Sequence, residues 1–393
     1  MSDRQNIKEL LSLCVRCGRC RGVCPTFEVE RTETSVARGR VVLTNHLLEG
    51  LRESETAYRI LNTCLLCMAC EEVCTNKVPV SGIVQVSREL LRKRWGSPQW
   101  KDALSWVLSH PRVMDLLSPT AIITRLLPKK GEEPRGLLLR IPRLVDEKVF
   151  LPPVSPVPFR RSSGGVWGEG PRVLLFLGCL IDHCYPKIAQ TTVELLKRLG
   201  YSCVVPKEQY CCGHPHLAMG FREDAERILL YNKRLFERED PDFILTACAS
   251  CASTLKREYD LRVPVLDLVE LLERHKKELR VTLPSDVERV TWHQPCHLGR
   301  GQGIEGEALV KELFGKSFVE TKNSHRCCGF GGSLSVEFSS LSTHLAKEKA
   351  EWIKESGAQM VLTDCPACIM QLQRGLLLEG VPASAAHLVT LLV

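Results

Sequence analysis

The stretch HRCCGFGG, residues 325–332, places two cysteines side by side, and three of the four residues after them are glycines. An earlier stretch, YCCGHPH at residues 210–216, contains the same CCG run. A disulfide between adjacent cysteines would close a strained ring, and two free thiols would be open to oxidation. The third option is that both cysteines are thiolates bound to metal, with glycine beside them letting the backbone approach a bulky inorganic centre.

The cysteines around these two stretches form a duplication. The first set is Cys179, Cys211, Cys212, Cys248 and Cys251, and the second set is Cys296, Cys327, Cys328, Cys365 and Cys368. Subtracting the first set from the second, position by position, gives offsets of 117, 116, 116, 117 and 117. An internal repeat of this length predicts two copies of one domain.

Each copy is predicted to be a parallel-sheet α/β domain. The apolar runs RVLLFLGC (172–179) and RVTWHQPC (289–296) predict first strands, SCVVP (202–206) and SFVET (317–321) second strands, and FILTACASC (243–251) and QMVLTDCPAC (359–368) third strands. AQTTVELLKRLG (189–200) and EGEALVKELFG (305–315) predict helices stopped by glycine. Alternation of strand and helix implies a parallel sheet, whose carboxyl edge is where such sheets place ligands. All ten cysteines are expected at that edge and in the loops that follow it.

Two further cysteine quartets precede the duplication. The first quartet is Cys14, Cys17, Cys20 and Cys24, and the second is Cys64, Cys67, Cys70 and Cys74. Both follow C-x2-C-x2-C-x3-C, the run with which bacterial ferredoxins hold two [4Fe–4S] clusters, the fourth cysteine of each run reaching the other cluster. One cubane cluster should therefore take Cys14, Cys17, Cys20 and Cys74, and the other should take Cys64, Cys67, Cys70 and Cys24. Structural zinc is the alternative, but zinc takes four ligands in C-x2-C pairs and fits two such quartets poorly.

The segments between the quartets have helical apolar spacing, so the module is expected to be mostly helical. Arg38 and Arg40 near the start of one helix are interpreted as a solvated helix end, with a role beside a cluster as the alternative. We expect a helical ferredoxin-type module at 1–95, a helical and proline-rich linker at 96–170, a first CCG domain at 171–285 and a second at 286–393. Within the linker, residues 140–171 are dense in proline and glycine and are predicted to be extended.

Composition narrows the class of protein. The 393 residues, 44% of them hydrophobic, contain no apolar run of membrane-spanning length and no secretory signal, so a cytoplasmic location is expected. In that compartment twenty cysteines favour metal over disulfides. The net charge of +7 arises from residues 1–170, which favours a solvated basic face, or else attraction to an acidic partner or to the inner face of the cell membrane. Nucleic acid is not expected as a partner, and no G-x-G-x-x-G or P-loop motif indicates a nucleotide on this chain.

At these residues the chain resembles the CCG iron–sulfur oxidoreductases, and "RGRVVLTNHLLEG", "CCGFGGSLSV" and "DCPACIMQL" resemble the family's own sequences. A two-cluster module joined to two CCG domains is the layout of glycolate oxidase iron–sulfur subunits and of the membrane-linked type of heterodisulfide reductase catalytic subunit. The resemblance implies a chain that carries electrons from a partner FAD-containing dehydrogenase, acting on a 2-hydroxy acid such as glycolate or D-lactate, towards a membrane cytochrome, quinone or another acceptor. It also implies one or two further iron–sulfur centres in the CCG domains, for which noncubane [4Fe–4S] is an option. The alternative function is catalytic reduction of a disulfide at such noncubane centres.

Several residues near these motifs have roles that the sequence alone does not decide. His293 and His297 flank the proposed ligand Cys296 and are the candidate catalytic residues, for proton relay or cluster tuning. His214, His216 and His325 lie beside the CCG stretches and are more simply explained as packed histidines. Cys203 is expected to be a buried structural thiol, and Cys184 is a spare ligand at most.

Overall fold

The computed structural model describes residues 2–50, 55–117, 137–139, 149–151, 158–163 and 165–392. The N-terminal module is helical, as expected, and its helices are α1 (Ser2–Ser12), α2 (Pro25–Glu30), α3 (Ala37–Glu49), α4 (Glu55–Asn62), α5 (Ala69–Glu72) and α6 (Val80–Trp95). Helix α3 ends at Gly50, whose φ of 103° supplies the left-handed conformation of a helix C-cap. The apolar faces of α3, α4 and α6 meet in a core centred on Leu61, Ile83 and Val84.

The segment after the module is partly folded onto the rest of the chain. Its described elements are helices α7 (Gln99–Leu108), α8 (Pro111–Leu117) and α9 (Phe159–Ser163), the antiparallel pair β1 (Leu137–Leu139) and β2 (Val149–Leu151), and strand β3 (Val166–Trp167). The prediction of an extended chain over 140–171 is wrong at Phe159–Ser163, which form a helix with Phe159 and Arg160 buried, whereas Val149–Leu151 and Val166–Trp167 are extended strands. The remainder of that prediction, and of the helical prediction beyond residue 117, lies outside the described residues.

The first CCG domain contains a five-stranded sheet in the order β3-β5-β4-β6-β7. Its further strands are β4 (Arg172–Leu175), β5 (Ser202–Val204), β6 (Phe243–Thr246) and β7 (Val265–Asp267), and its helices are α10 (Gly178–His183), α11 (Pro186–Arg198), α12 (His214–Met219), α13 (Arg222–Glu239), α14 (Ala249–Glu258) and α15 (Leu268–Arg274). Strands β4 to β7 pair in parallel, and only the edge strand β3 is antiparallel. The predicted parallel α/β domain is confirmed.

The second CCG domain repeats this plan with a smaller sheet in the order β10-β9-β8, all parallel. Its strands are β8 (Val290–Trp292), β9 (Met360–Thr363) and β10 (Ser384–His387), and its helices are α16 (Cys296–Gln302), α17 (Glu307–Phe314), α18 (Leu334–Glu337), α19 (Ser339–Ser356) and α20 (Pro366–Leu378). The strand predicted in SFVET is reduced to a single bridge between Phe318 and Val290, because only one residue aligns with β8. The four domain boundaries stay a prediction.

The hydrophobic cores of the two CCG domains merge into one. The fully buried side chains of Leu174, Leu245, Trp292 and Leu362 belong to the same continuous cluster. A smaller cluster joins the N-terminal module to the second CCG domain, since Leu65 packs there against Leu334 and Leu345. No helix in the described part of the chain is both long enough and apolar enough to cross a lipid bilayer.

Candidate iron–sulfur centres

The eight cysteines of the N-terminal module line two cavities. Cys14, Cys17, Cys20 and Cys74, here called the outer quartet, line one cavity, which Cys70 also borders. Cys24, Cys64, Cys67 and Cys70 line a second cavity, the inner quartet. In each group the fourth sulfur comes from the other cysteine run. Four thiols around one cavity suit a [4Fe–4S] cluster, and the assignment of each sulfur as a ligand stays a prediction.

The two cysteine runs share an unusual backbone. Arg16 and Gly18 in the first run, and Leu66 and Met68 in the second, all have positive φ, at 56°, 86°, 53° and 59°. Three of these four residues carry side chains, for which the left-handed region is costly. The same conformation at matching positions of both runs is what turns three successive cysteines towards one cavity.

The outer and inner quartets differ in exposure and in charge. Cys17 is exposed, whereas Cys24 and Cys64 are buried. Around the inner quartet, Arg40 is only 2% exposed, donates from Nε to the Ile60 carbonyl at 3.0 Å, and holds Nη1 4.0 Å from the Cys24 Sγ. The interpretation of Arg40 as part of a solvated helix end is therefore wrong, because its guanidinium is enclosed between α3 and the second cysteine run.

Two more arginines bind the backbone of the inner quartet. Arg88, on α6, is buried and donates to the carbonyls of Leu61, Asn62 and Cys64, the last at 2.6 Å. Arg300, on α16 of the second CCG domain, donates to the Cys67 carbonyl at 3.3 Å. Arg38, beside the outer quartet, is more exposed and is paired with Glu33 at 2.6 Å, so its charge is largely neutralised by that carboxylate. Three guanidinium groups thus favour negative charge on the inner quartet.

The second CCG set comes together as predicted, and we call it the second CCG centre. All five of its cysteines are buried: Cys296, Cys327, Cys328, Cys365 and Cys368. The Cys328 and Cys368 sulfurs lie 3.7 Å apart. Hydrogen bonding with Cys327 and then with Cys368 holds the pKa of Cys328 well below its usual range.

The first CCG set forms the equivalent first CCG centre, through contacts of Cys179 with Cys211 and of Cys212 with Cys251. Hydrogen bonds from Cys211 and Cys251 lower the pKa of Cys212, as they do at the matching Cys328. Cys203 is buried on β5, where burial raises its pKa to about 12. Cys184 is close enough to Cys179 for their charges to interact, and burial raises its pKa to about 12.

Three interactions connect these four cysteine groups into a series, and the first joins the two quartets, since Cys20 lies close enough to Cys24 for their charges to interact. The Cys67 thiol of the inner quartet hydrogen-bonds Cys327 of the second CCG centre, and this bond is the main reason why the pKa of Cys67 is raised. The Cys248 and Cys365 thiols hydrogen-bond across the interface of the two CCG domains. The order in space is therefore outer quartet, inner quartet, second CCG centre and first CCG centre.

The predicted catalytic histidines lie in two different places. His293 is 1% exposed, and its ring lies against Cys328 and Cys368 of the second CCG centre. His297 instead points to the domain interface, where its ring meets that of His214 at a centroid distance of 4.7 Å and its Nδ1 lies 3.4 Å from the Ser250 hydroxyl. Burial lowers the pKa of His297 to about 3, so its imidazole is neutral.

The remaining candidate histidines, His216 and His325, differ in burial. His216 is fully buried and bonds the Ser105 carbonyl at 3.0 Å, which ties α12 to α7. The ring of His325 is half exposed, and its backbone carbonyl accepts a hydrogen bond from Arg300.

A buried acid pair that was not predicted from the sequence lies at the same interface. Asp267, at the end of β7, and Asp364, just before Cys365, are fully buried and lie within hydrogen-bonding distance of each other. Burial raises the pKa of both carboxyl groups, that of Asp267 to about 6. His387 lies 3.4 Å from Asp364 and 3.0 Å from the Ala247 carbonyl. The available signal was the change from TACASC in the first copy to TDCPAC in the second.

Comparison with known proteins agrees with this architecture. Residues 173–256 and 290–373 match the family model described as Cysteine-rich domain (CCG), and residues 10–78 match the model described as 4Fe-4S dicluster domain. The chain therefore belongs to the family of iron–sulfur oxidoreductase subunits that join a 4Fe-4S dicluster domain to CCG domains.

Individual relatives bear different names. Lactate utilization protein A of Geobacillus thermodenitrificans is 33% identical over 56% of this chain and 98% of its own length. The probable glycolate oxidase iron-sulfur subunit of Bacillus subtilis is 27% identical over the whole of this chain and 95% of its own length. A subunit of the fumarate reductase (CoM/CoB) of Methanothermobacter marburgensis is 28% identical over 96% of this chain and 70% of its own length.

Proposed function

We propose that this chain is the electron-transfer subunit of a complex that oxidises a 2-hydroxy acid of the glycolate or D-lactate type. FAD would be held by a partner subunit, and quinone, a membrane cytochrome or another acceptor would take the electrons, at the inner face of the cell membrane. The observation that carries this proposal is the unbroken series of cysteine groups from the exposed Cys17 to the buried CCG domains. The names of the Bacillus and Geobacillus relatives support the substrate class.

The cysteine groups fit clusters by their chemistry, since each offers four or five thiols, and Glu71, which also lines the inner cavity, already accepts a hydrogen bond from the Ser81 amide. Two cubane [4Fe–4S] clusters would be held by the outer and inner quartets, and one or two further iron–sulfur centres by the CCG domains. Such clusters supply one-electron transfer, while a flavin supplies the two-electron chemistry of the acid. The protein's own contribution is to hold the sulfurs in order and to surround the inner quartet with the buried charges of Arg40 and Arg88.

The outer quartet is the proposed docking point for a redox partner. Val15 is 66% exposed beside Cys17, although it is apolar. Lys8 and Arg16 line the adjoining cleft together with Cys14. An exposed apolar side chain surrounded by basic groups suits an acidic partner surface that approaches this edge.

A second function, reduction of a disulfide, is favoured by the interface of the two CCG domains. Ser250 contacts both the Cys365 sulfur at 3.6 Å and the ring of His297. His297 in turn lines a cleft with His214 and Arg257. A small ligand in this cleft would thus lie one side chain away from the second CCG centre. The relative named as a fumarate reductase (CoM/CoB) subunit and the completeness of both five-cysteine motifs support this alternative.

The experiment that separates the two functions uses the full chain with its iron, purified without oxygen. In the first arm, an FAD-containing 2-hydroxy-acid dehydrogenase is added with glycolate or D-lactate, and bleaching of the iron–sulfur absorbance is followed. Reduction that needs both dehydrogenase and acid supports the 2-hydroxy-acid function. In the second arm, the chemically reduced chain is mixed with a low-molecular-weight disulfide. If the chain is reoxidised while the disulfide is converted to thiol, and if the first arm shows no bleaching with glycolate or D-lactate, disulfide reduction would replace 2-hydroxy-acid oxidation as the proposed function.

A further inference from the structure

Because the two CCG domains are copies, matching positions show where their centres have diverged. Helices α13 and α19 both contain 18 residues and begin 117 positions apart, the same offset that separates Cys248 from Cys365. Asn232 in the first copy therefore matches Lys349 in the second. By the same offset, Phe176 at the end of β4 matches His293 at the end of β8.

Lys349 is a buried cation beside the second CCG centre. It is 4% exposed, and its Nζ donates to the carbonyls of Asn323 and Ser324 at 2.6 and 3.2 Å. Among the described residues no carboxylate forms a salt bridge with it, and the strongest negative charges that act on it are the thiolates of the second CCG centre, with a further interaction with Glu348. Burial lowers the pKa of Lys349 to about 8, against the effect of those thiolates, so the ammonium form still predominates at pH 7.

The first copy has a neutral amide at the matching place. Asn232 is also fully buried, and its amide donates to the Cys211 carbonyl at 2.9 Å and to the Tyr259 hydroxyl at 3.0 Å. Asn232 therefore anchors the CCG loop of its own domain, much as Lys349 anchors the loop before Cys327. The anchoring is shared by the two copies, but the buried positive charge belongs to the second copy alone.

The second position at which the copies differ, Phe176 in the first and His293 in the second, also places a polar group beside the second CCG centre only. Phe176 is fully buried and packs edge-on against Phe236, with ring centroids 5.7 Å apart. His293 occupies the matching site, and within the described chain neither of its ring nitrogens has a nitrogen or oxygen partner. Its polar neighbours are the sulfurs of Cys328 and Cys368, which lie with it inside a 4.8 Å group. A buried imidazole is costly unless it interacts, so its partner is the second CCG centre itself.

We propose that Lys349 and His293 give the second CCG centre a higher reduction potential than the first, so that an electron delivered to the CCG domains resides on the second. A buried positive charge and hydrogen bonds to sulfur both stabilise the reduced state of an iron–sulfur centre. The second centre is also the one that contacts the inner quartet, through Cys327 and Cys67. The inference rests on the proposed function in one respect, namely that both CCG centres hold iron.

The test is a redox titration of the full chain loaded with ⁵⁷Fe, followed by Mössbauer and electron paramagnetic resonance spectroscopy. K349M removes the charge at nearly constant side-chain length. It is expected to lower the equilibrium constant for reducing one CCG centre about tenfold, which is 59 mV for one electron, and to leave the quartets unchanged. K349R keeps the charge and is expected to keep the potential. H293F copies Phe176 and should shift the same centre in the same direction.

The reciprocal variant N232K places the charge in the first copy and should raise the potential of the other CCG centre. If K349M fails to retain its iron, the N232K variant provides the test. An unchanged reduction potential of the first CCG centre in N232K then overturns the proposal. Full iron with unchanged potentials in K349M and H293F also overturns it, while the proposed function stands. An iron content of about 8 per chain, the amount in two cubanes, would instead remove the CCG centres and this inference with them, whereas the two clusters on which the electron-transfer function depends would remain.

Discussion

Removing the charge of Arg40 should make the inner quartet's cluster harder to reduce. The Arg40 Nη1 lies 4.0 Å from the Cys24 sulfur, and the side chain is 2% exposed, so solvent screens it little. An added electron is shared over the whole cluster, so its mean distance from the guanidinium is about twice that contact. At an effective dielectric constant of about 20, Coulomb's law then gives about 2 kcal/mol, or about 90 mV for one electron. We therefore expect R40Q to lower the potential of this cluster by about 90 mV.

The assay is a redox titration followed by electron paramagnetic resonance, in which the inner and outer quartets are assigned by their different relaxation and exposure. R40K keeps the charge while losing the bond to the Ile60 carbonyl, and should move the potential by less than half as much. R38Q is the matched control at the outer quartet, where Glu33 and solvent already neutralise the charge. An R40Q protein with full iron and a potential within about 20 mV of the parent chain would refute the electrostatic reasoning.

Three further outcomes are expected. C328S should lose the signals of one CCG centre and spare those of the quartets, and unchanged spectra would show that Cys328 is not a ligand. K101M should lower the melting temperature by destabilising the fold by about 3 kcal/mol, because Lys101 is buried 2.7 Å from Glu337, and adding E337Q should restore part of the loss. Burial raises the pKa of Asp267 from 3.8 to about 6. The protonated Asp267 therefore stabilises the fold fully below pH 3.8, and this contribution is lost as the pH rises through 6. D267N should flatten the dependence of the unfolding free energy on pH across that window, and an unaltered pH profile would contradict the assignment.

The parts of the molecule that were predicted from sequence are those encoded by spacing. Cysteines at fixed intervals predicted the two quartets and the exchange of Cys24 and Cys74 between them. In the structure Cys74 lines the cavity of the first run and Cys24 that of the second, while Cys70 borders both. The repeat offset of about 117 predicted two like domains, and the parallel pairing of β4 with β6 and of β8 with β9 follows it. Spacing is local information, and both features depend on residues close in sequence or repeated in register.

The parts that were missed depend on contacts between distant segments. Arg40 is interpreted as a surface residue from its position at a helix start, and only the packing of α3 against the second cysteine run buries it. Asp267 and Asp364 are 97 positions apart in the sequence, and the residues around each of them do not predict that the two carboxyl groups share one buried site. SFVET has the composition of a strand, but only Phe318 of this segment pairs with β8. The composition of a segment does not predict how many of its residues pair with a neighbouring strand.

The order of the domains in sequence differs from the order of their centres in space, and this difference bears on function. The N-terminal module is followed in sequence by the first CCG domain, yet its inner quartet contacts the second, through Cys67 and Cys327. Buried contacts fix that arrangement: Tyr58 and Lys101 both bond Glu337 of the second domain, while Arg88 bonds the Ala218 carbonyl of the first. The N-terminal module thus packs against both CCG domains, but the Cys67 sulfur of its inner quartet contacts the second domain. A duplicated pair in which one copy receives the contact is free to diverge, and the buried charge of Lys349 lies in the copy that receives it.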